Sequence, residues 1–458
     1  MRFRLPVIRG AVISAALAVV TFSSTAFAAG ADDAAGTFAF LALALVVARL
    51  AGFVERFGQP AVLGELLAGV LLGNLGIGFL EGMRHDALVG FLAELGVVIL
   101  LFQIGLESSF SSLRRVGARA FSVAVVGVVV PFALGLLVGP VLVPGQSFNA
   151  YLFVGATLAA TSVGITGRVF RDLGMLDSRE ARIVLGAAVI DDVLGLILLA
   201  VVTSLVATGG VDAATIARIV GQSVLFLFGA VVLGRLLSPR LARVLARVHA
   251  GEGMKFTLLL ALGLALAWLA HEIGLAAIVG AFAAGLFLEP AYFDDFEEPE
   301  IVQEIRPLLA QLGGEASSAL GRVLDRHAAR HHEEMLGPLG YVFVPIFFVY
   351  TGMQVRLELF TQFDVLLTAL ALTAAAIAGK LASGLAAAPA RKWIVGWGMV
   401  PRGEVGLIFA AIGRELGAID ESTFSAVVLM VILTTLITPP ALGRLLKRSI
   451  DPGASAGG

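Results

Sequence analysis

Cysteine is absent from all 458 positions, so disulfides, iron–sulfur clusters and thiol catalysis are excluded. Charge is scarce as well: Asp, Glu, Lys and Arg together make up 14% of the chain, against roughly one-quarter in a soluble globular domain. Basic charge is not in excess, because 32 Lys and Arg meet 34 Asp and Glu for a formal net charge of −2. With no surplus to neutralise phosphates, a nucleic-acid partner is not expected. What fills the chain instead is apolar: hydrophobic residues occupy 58% of positions and glycine 54 of them, a composition suited to membrane helices, where small residues let neighbours pack closely. Lipid, not water, is the main solvent such a chain is built for.

The chain opens Met1-Arg2-Phe3-Arg4, continues through an apolar stretch from Val12 to Val20, and reaches Ala26-Phe27-Ala28. A positive start, a short apolar core and a small-residue site resemble a secretory signal peptide over 1–28. An uncleaved anchor is the competing reading, and in both the next segment starts outside. With a window of about 19 residues, apolar segments fall near 36–53, 61–78, 87–106, 119–140, 150–168, 182–205, 215–236, 254–270, 274–288, 338–353, 363–388, 394–414 and 421–445. The pattern predicts an all-α polytopic membrane protein of about thirteen helices over 29–450, followed by a short tail at 451–458. Lys and Arg should then collect in alternate loops. They do: Arg114, Arg115 and Arg119; Arg168, Arg171, Arg179 and Arg182; Arg235, Arg240, Arg243, Arg247 and Lys255; Arg391 and Lys392; Arg444, Lys447 and Arg448. The opposite loops near 141–149 and 206–214 hold none. This places the mature N-terminus outside and the C-terminus inside a bacterial inner membrane.

Gly64-Glu65-Leu66-Leu67-Ala68-Gly69 in the second segment matches Gly280-Ala281-Phe282-Ala283-Ala284-Gly285 in the ninth, and Leu101-Phe102-Gln103-Ile104-Gly105-Leu106-Glu107 in the third matches Phe348-Val349-Tyr350-Thr351-Gly352-Met353-Gln354 in the tenth. Matching segments are seven apart, and an odd separation gives the two copies opposite orientation: inverted-topology repeats, at about 61–205 and 274–445. The pairing extends to the fifth and twelfth segments, where Ser162-Val163-Gly164 and Arg171-Asp172-Leu173-Gly174 face Glu404-Val405-Gly406 and Arg414-Glu415-Leu416-Gly417. Both segments are interrupted, one by Thr161 and Ser162, the other by Pro401-Arg402-Gly403-Glu404. Broken helices at corresponding repeat positions point to a binding site.

The sixth segment carries Asp191 and Asp192 side by side in apolar sequence, and the eleventh carries Lys380. A charge at a helix centre costs about 2.5–3.5 kcal/mol, so the acids require compensation and Lys380 is the expected partner. At about 1.5 Å per residue, Asp191 lies roughly 14 Å in from Arg182, Lys380 roughly 16 Å in from Arg391, Arg402 and Glu404 roughly 15–18 Å in from Lys392, and Thr161 roughly 10 Å from Arg168. These polar positions converge near the midplane, where transporters place their ion sites. Two carboxylates with backbone carbonyls are hard oxygen ligands suited to a small dehydrated cation such as Na+, which would bind at Asp191 and Asp192. A buried carboxyl can also hold a proton at physiological pH, so competition for the same oxygens is an exchange mechanism in itself. A structural salt bridge accounts for Lys380 and one aspartate and leaves the second acid over.

Three stretches together, Phe57-Gly58-Gln59-Pro60-Ala61-Val62-Leu63-Gly64-Glu65-Leu66-Leu67-Ala68-Gly69, Asp191-Asp192 and Val400-Pro401-Arg402-Gly403-Glu404-Val405-Gly406, resemble the monovalent cation:proton antiporter superfamily, in its Kef/Nap-type branch. The resemblance covers nearly the whole mature chain. It implies a homodimer in which a dimerisation domain stands beside a core domain that moves like an elevator, with partly unwound helices crossing at Thr161-Ser162 and Arg402-Gly403-Glu404. It also implies that Asp192 is the ion and proton carrier, that Asp191 pairs with Lys380 when no cation is bound, and that exchange is electrogenic. No cofactor is implied. Family members dedicated to potassium efflux often carry a cytoplasmic nucleotide-binding domain after the last helix; here Gly458 follows soon after Arg448, so such control would have to come from a separate cytoplasmic regulatory subunit.

One departure is an insertion at about 291–337, expected to be cytoplasmic. Asp294, Asp295, Glu297, Glu298 and Glu300 precede an amphipathic stretch with His327, His331, His332, Glu333 and Glu334. His327 and His331 share a helical face at metal-ligand spacing, and histidines also titrate near physiological pH, but a solvated surface helix is the better reading. Three other functions compete, one of them a channel, although inverted broken helices with a titratable midplane site fit alternating access better than a continuous pore. K+ in place of Na+ is the nearest, since selectivity depends on cavity size and ligand count. A membrane-embedded Mg-dependent transferase is more distant, because a D-D-x-x-D run would want an acid where Gly195 stands.

Overall fold

The computed structural model describes residues 33–57, 59–107, 117–143, 145–175, 178–208, 213–273, 275–288, 296–297, 300–312, 320–321, 324 and 335–450. Regular structure among them is entirely helical. In chain order the helices are α1 (Asp33–Ala51), α2 (Ala61–Gly73), α3 (Gly78–Arg84), α4 (Ala87–Glu107), α5 (Ala118–Leu142), α6 (Phe148–Ala159), α7 (Val163–Asp172), α8 (Arg179–Thr208) and α9 (Ala213–Val248). They continue with α10 (Glu252–Glu272), α11 (Ala277–Phe287), α12 (Glu300–Leu312), α13 (Gly337–Met353), α14 (Phe363–Ser383), α15 (Lys392–Gly398), α16 (Glu404–Glu415) and α17 (Glu421–Ile450). Eight helical runs among the described residues are long and apolar enough to cross a membrane, and four shorter apolar helices, α2, α6, α11 and α13, accompany them. The expected signal peptide, Arg114 and Arg115, and the histidine-bearing part of the insertion lie outside the described residues.

Some expected boundaries shift. The second segment, expected to run to 78, stops at Gly73, where Asn74 turns the chain and donates from its side-chain amide to Val70 O and Val355 O, both at 2.8 Å. The seventh, expected to end at 236, continues to Val248. Helix termini follow from local chemistry. Ser147 caps α6 by accepting from the Ala150 N–H, Ser178 caps α8 through Ala181, and Asp420 caps α17 through Thr423, each satisfying a first-turn donor that has no intrahelical partner.

The chain divides into two compact units, one of residues Met1–Gly96 and Val342–Thr361, the other of Val97–Tyr341 and Gln362–Gly458. In the first, Phe40, Ala44 and Ala48 of α1 pack with Leu72, Leu80, Val89, Val349 and Met353. In the second, Val123 and Ala124 from α5, Val184 and Ala187 from α8, Val395 from α15 and Leu442 and Leu446 from α17 share one core. Each unit contains a glycine contact of the same form. A Cβ on Gly352 of α13 would strike the carbonyl oxygen of Leu66 and come within 2.9 Å of Gly69 Cα and 2.8 Å of Val70 N. A Cβ on Gly105 of α4 would strike the carbonyl oxygen of Phe282 and come within 3.0 Å of Gly285 Cα and 3.2 Å of Leu286 N. Such backbone-to-backbone approach is open only to small residues.

Candidate functional site

The site is built where two helical segments stop and restart. α6 ends at Ala159, Ala160 to Ser162 run without helical structure, and α7 begins at Val163. On the other side of the crossing, α15 ends at Gly398 and α16 begins at Glu404, with Pro401 to Gly403 free of helical structure between them. A proline cannot donate a backbone N–H, which helps to end the helix here. The two breaks meet: the Ser162 N–H donates to Pro401 O at 2.9 Å, and Thr166 Oγ1 donates to Gly398 O at 2.7 Å. Gly403 is required by this approach, because a Cβ there would lie 2.6 Å from Ser162 Cβ and Oγ.

Broken helices leave carbonyls without partners in a region where water cannot supply them. Arg402, wholly buried, meets this need. Its guanidinium donates to Leu158 O at 2.5 Å, Val400 O at 2.9 Å, Ala376 O at 3.2 Å and Met399 O at 3.3 Å. The charge therefore sits at the C-terminal, partly negative ends of both α6 and α15, where a cation is favoured. Thr435 Oγ1 of α17 donates to Arg402 O at 2.6 Å and holds its backbone from the other side.

Beside the crossing, Lys380 Nζ of α14 pairs with Asp191 Oδ1 of α8 at 2.8 Å, with side chains 0% and 2% exposed. Gly127 of α5 makes the room: a Cβ on it would lie 3.4 Å from Lys380 Nζ and 3.7 Å from Asp191 Oδ1. Asp192, one residue and about 100° further round the helix, is only half-buried. Neighbouring acids thus have different surroundings, one sealed against a lysine and one partly accessible. The Thr161 hydroxyl at the first break is buried and has no hydrogen-bond partner among the described residues, an arrangement that marks an oxygen available to a ligand.

Of the residues expected from the sequence, Asp191, Lys380, Thr161, Ser162 and Arg402 are buried in this region, Asp192 adjoins it, and Glu404 opens α16 with a side chain outside the described set. Lys380 proves to lie in the last turn of α14, and a 3-10 turn over Gly384–Ala387 carries the span onward. Sequence reasoning missed Gly127, Thr166 and Thr435. Gly127 gives no signal among so many glycines, and a threonine in a membrane helix commonly bonds its own preceding turn, as Thr434 does to Met430 O.

Comparison with known proteins places this geometry among relatives. The family model described as sodium/hydrogen exchanger, transmembrane, matches residues 8–314 and 316–448. The high-affinity Na+/H+ antiporter NhaS3 of Synechocystis sp. is 35% identical over 448 residues, covering 89% of this chain and 89% of the relative. The Na+/H+-K+ antiporter GerN of Bacillus cereus is 32% identical over 408 residues, 88% of this chain and 94% of that one. Among solved structures, the sodium proton antiporter MjNhaP1 from Methanocaldococcus jannaschii shares the fold with a TM-score of 0.62 at 17% identity, over 89% of this chain and 96% of its own.

Proposed function

Because the chain belongs to the sodium/hydrogen exchanger family, we propose that it exchanges Na+, and by extension Li+, for H+ across a bacterial plasma membrane by alternating access. The observation that carries this reading is the buried Lys380–Asp191 pair beside two crossing broken helices, with Asp192 half-buried next to it. Asp192 is the carrier. Its carboxylate takes either a proton or the cation, and the Thr161 hydroxyl supplies a neutral oxygen nearby. A cation that also takes an oxygen of Asp191 must displace the Lys380 ammonium, so binding of Na+ is tied to the loss of positive charge or of a contact already present. That coupling makes exchange electrogenic if Lys380 releases its proton at this step. Arg402 is assigned to the scaffold, since both terminal nitrogens of its guanidinium donate to carbonyls at and beside the breaks.

The equivalent glycine contacts, Gly352 on Leu66 to Val70 and Gly105 on Phe282 to Leu286, support inverted repeats over about 61–205 and 274–445, and the apolar segments of the sequence support about thirteen crossings in all. The repeats are supported also by the helix ends at Gly174 and Gly417, with φ of 66° and 65°. Each is followed by a bond that spans five residues, Met175 N–H to Phe170 O and Ala418 N–H to Gly413 O, both 2.8 Å. We further assign a homodimer, an outside N-terminus and an inside C-terminus, from the family resemblance and the Lys and Arg distribution.

The test is cation-driven proton movement in proteoliposomes of purified protein, with Na+, Li+ and K+ compared and wild type set against Asp192→Asn. Na+-driven flux that disappears in Asp192→Asn is the expected result. Flux with K+ alone would replace Na+ by K+ as the substrate, and no flux with any of the three would overturn the antiporter reading.

A further inference from the structure

The helix that backs the ion site runs well past the membrane core. α9 has 36 residues, about 54 Å at 1.5 Å per residue, against a hydrocarbon thickness of about 30 Å. Its middle packs on the site: Phe226 and Ala230 of α9 lie in one cluster with Val193 and Ile197 of α8, directly after Asp191 and Asp192, and with Ala283 of α11. Pro239 then interrupts the helical bonding, and the segment from Leu237 to Val248 has three distinct faces.

Ser238 and Ala242 are the buried side. Leu237, Leu241, Val244 and Val248 are exposed, at 57%, 43%, 56% and 74%, and at about 100° per residue they fall within an arc of about 60°. Arg240, Arg243 and Arg247 are also exposed and fill a second arc of about 60°, centred about 100° from the first. Arg240 donates to Leu236 O and Arg243 to Pro239 O, which fixes each stem along the helix and uses one donor of each guanidinium's five. None of the three forms an ion pair among the described residues.

We propose that this end of α9 is a binding surface for anionic phospholipid, in which the leucine–valine stripe faces the acyl chains and the arginine stripe holds headgroup phosphates. The two stripes match the two layers of a bilayer leaflet, and the charge matches phosphate. Planar guanidinium donors also suit phosphate oxygens better than a point charge would. A scattered charge at a helix end would satisfy orientation alone. Three arginines on one arc, beside a continuous exposed apolar arc, form a lipid site, and its occupant grips the helix that supports the aspartate pair.

The experiment measures lipid preference directly, independently of transport. Purified protein is reconstituted in phosphatidylcholine vesicles with spin-labelled phosphatidylglycerol or spin-labelled phosphatidylcholine, and the immobilised fraction of each gives relative affinity. Wild type is compared with Arg240→Gln/Arg243→Gln/Arg247→Gln, with the corresponding triple Lys variant, and with Arg218→Gln near the opposite end of α9. Wild type should prefer phosphatidylglycerol, and the preference should fall by roughly fivefold per arginine removed. The Lys variant should keep most of it and Arg218→Gln all of it. Equal preference in wild type and the triple Gln variant would overturn the proposal, and so would an equal drop on Arg218→Gln. Retained circular dichroism and elution volume separate these outcomes from misfolding. A transport failure under the test above would leave the lipid result standing.

Discussion

Removing either partner of the buried ion pair should be more damaging than removing both. At 2.8 Å and an effective dielectric of about 20, the Lys380–Asp191 attraction is about 6 kcal/mol, but taking each ion out of water costs several kcal/mol. The pair as a whole therefore contributes little compared with two neutral side chains of similar size. Lys380→Met leaves the buried Asp191 without its hydrogen-bonded partner, with the Arg402 charge acting on it only through space, and Asp191→Asn leaves a buried ammonium; each should destabilise by about 3–5 kcal/mol. Asp191→Asn/Lys380→Met should be within about 1–2 kcal/mol of wild type, a coupling far outside the roughly 0.3–0.5 kcal/mol expected of independent sites. Spread over the unfolding entropy of 458 residues, 1 kcal/mol corresponds to about 1 °C, so the singles should melt about 3–5 °C lower and the double close to wild type. The assay is thermal unfolding of the four purified proteins in one detergent at one scan rate, because apparent midpoints of large proteins depend on rate. If the double variant falls by the sum of the two singles, the charges do not compensate one another and Lys380 and Asp191 are not a coupled pair.

At the crossing, Gly403→Ala should lower the melting temperature and abolish cation-driven proton flux, since its Cβ would press on Ser162 Cβ at 2.6 Å and overpacking of this kind costs about 1–3 kcal/mol; adding Ser162→Gly should recover much of the loss in both readouts. At Asp420, partial burial pushes the carboxyl's titration up, but hydrogen bonds from Thr423, Ser422 and Gln146 outweigh it and hold the group below its ordinary value. A depressed folded-state value gives stability that is present above the unfolded value of about 3.9 and lost as pH falls below it. The melting difference between wild type and Asp420→Asn should therefore be full at neutral pH and should shrink below about pH 4.

The legible parts of this protein were those where one residue type is out of place. Asp191, Asp192 and Lys380 stand out because charge in an apolar helix needs a partner, and the breaks stand out because Pro401-Arg402-Gly403 lies between apolar flanks. Hydropathy also located the apolar segments, though it misplaced ends that depend on tertiary partners. The second segment stops at Gly73 because Asn74 finds the Val355 carbonyl, 281 positions away in sequence, and no local pattern contains that contact. α9 outruns its expected end because the arginines and leucines beyond 236 keep helical spacing. Arg402 was legible as a buried charge but not as a clamp: its four carbonyl acceptors come from α6, α14 and the break itself.

The proposed repeats share backbone geometry and differ in chemistry, and that difference is what a transporter needs. In the register set by the turns at Gly174 and Gly417, the positions of α17 that answer Asp191 and Asp192 of α8 are Thr434 and Thr435. Thr435 spends its hydroxyl on Arg402 O, and Arg402 spends its guanidinium on the breaks of both repeats, so the second repeat completes the crossing. The first repeat carries the two acids, Asp191 paired with Lys380, and at its break a Thr161 hydroxyl with no hydrogen-bond partner among the described residues. A pair of aspartates in both repeats would bring four carboxyls to one point, with only Lys380 and Arg402 to offset them, and such crowding would hold protons in place of exchanging them. One repeat with threonines at these positions and one with the acids leaves a single carboxylate site beside the crossing.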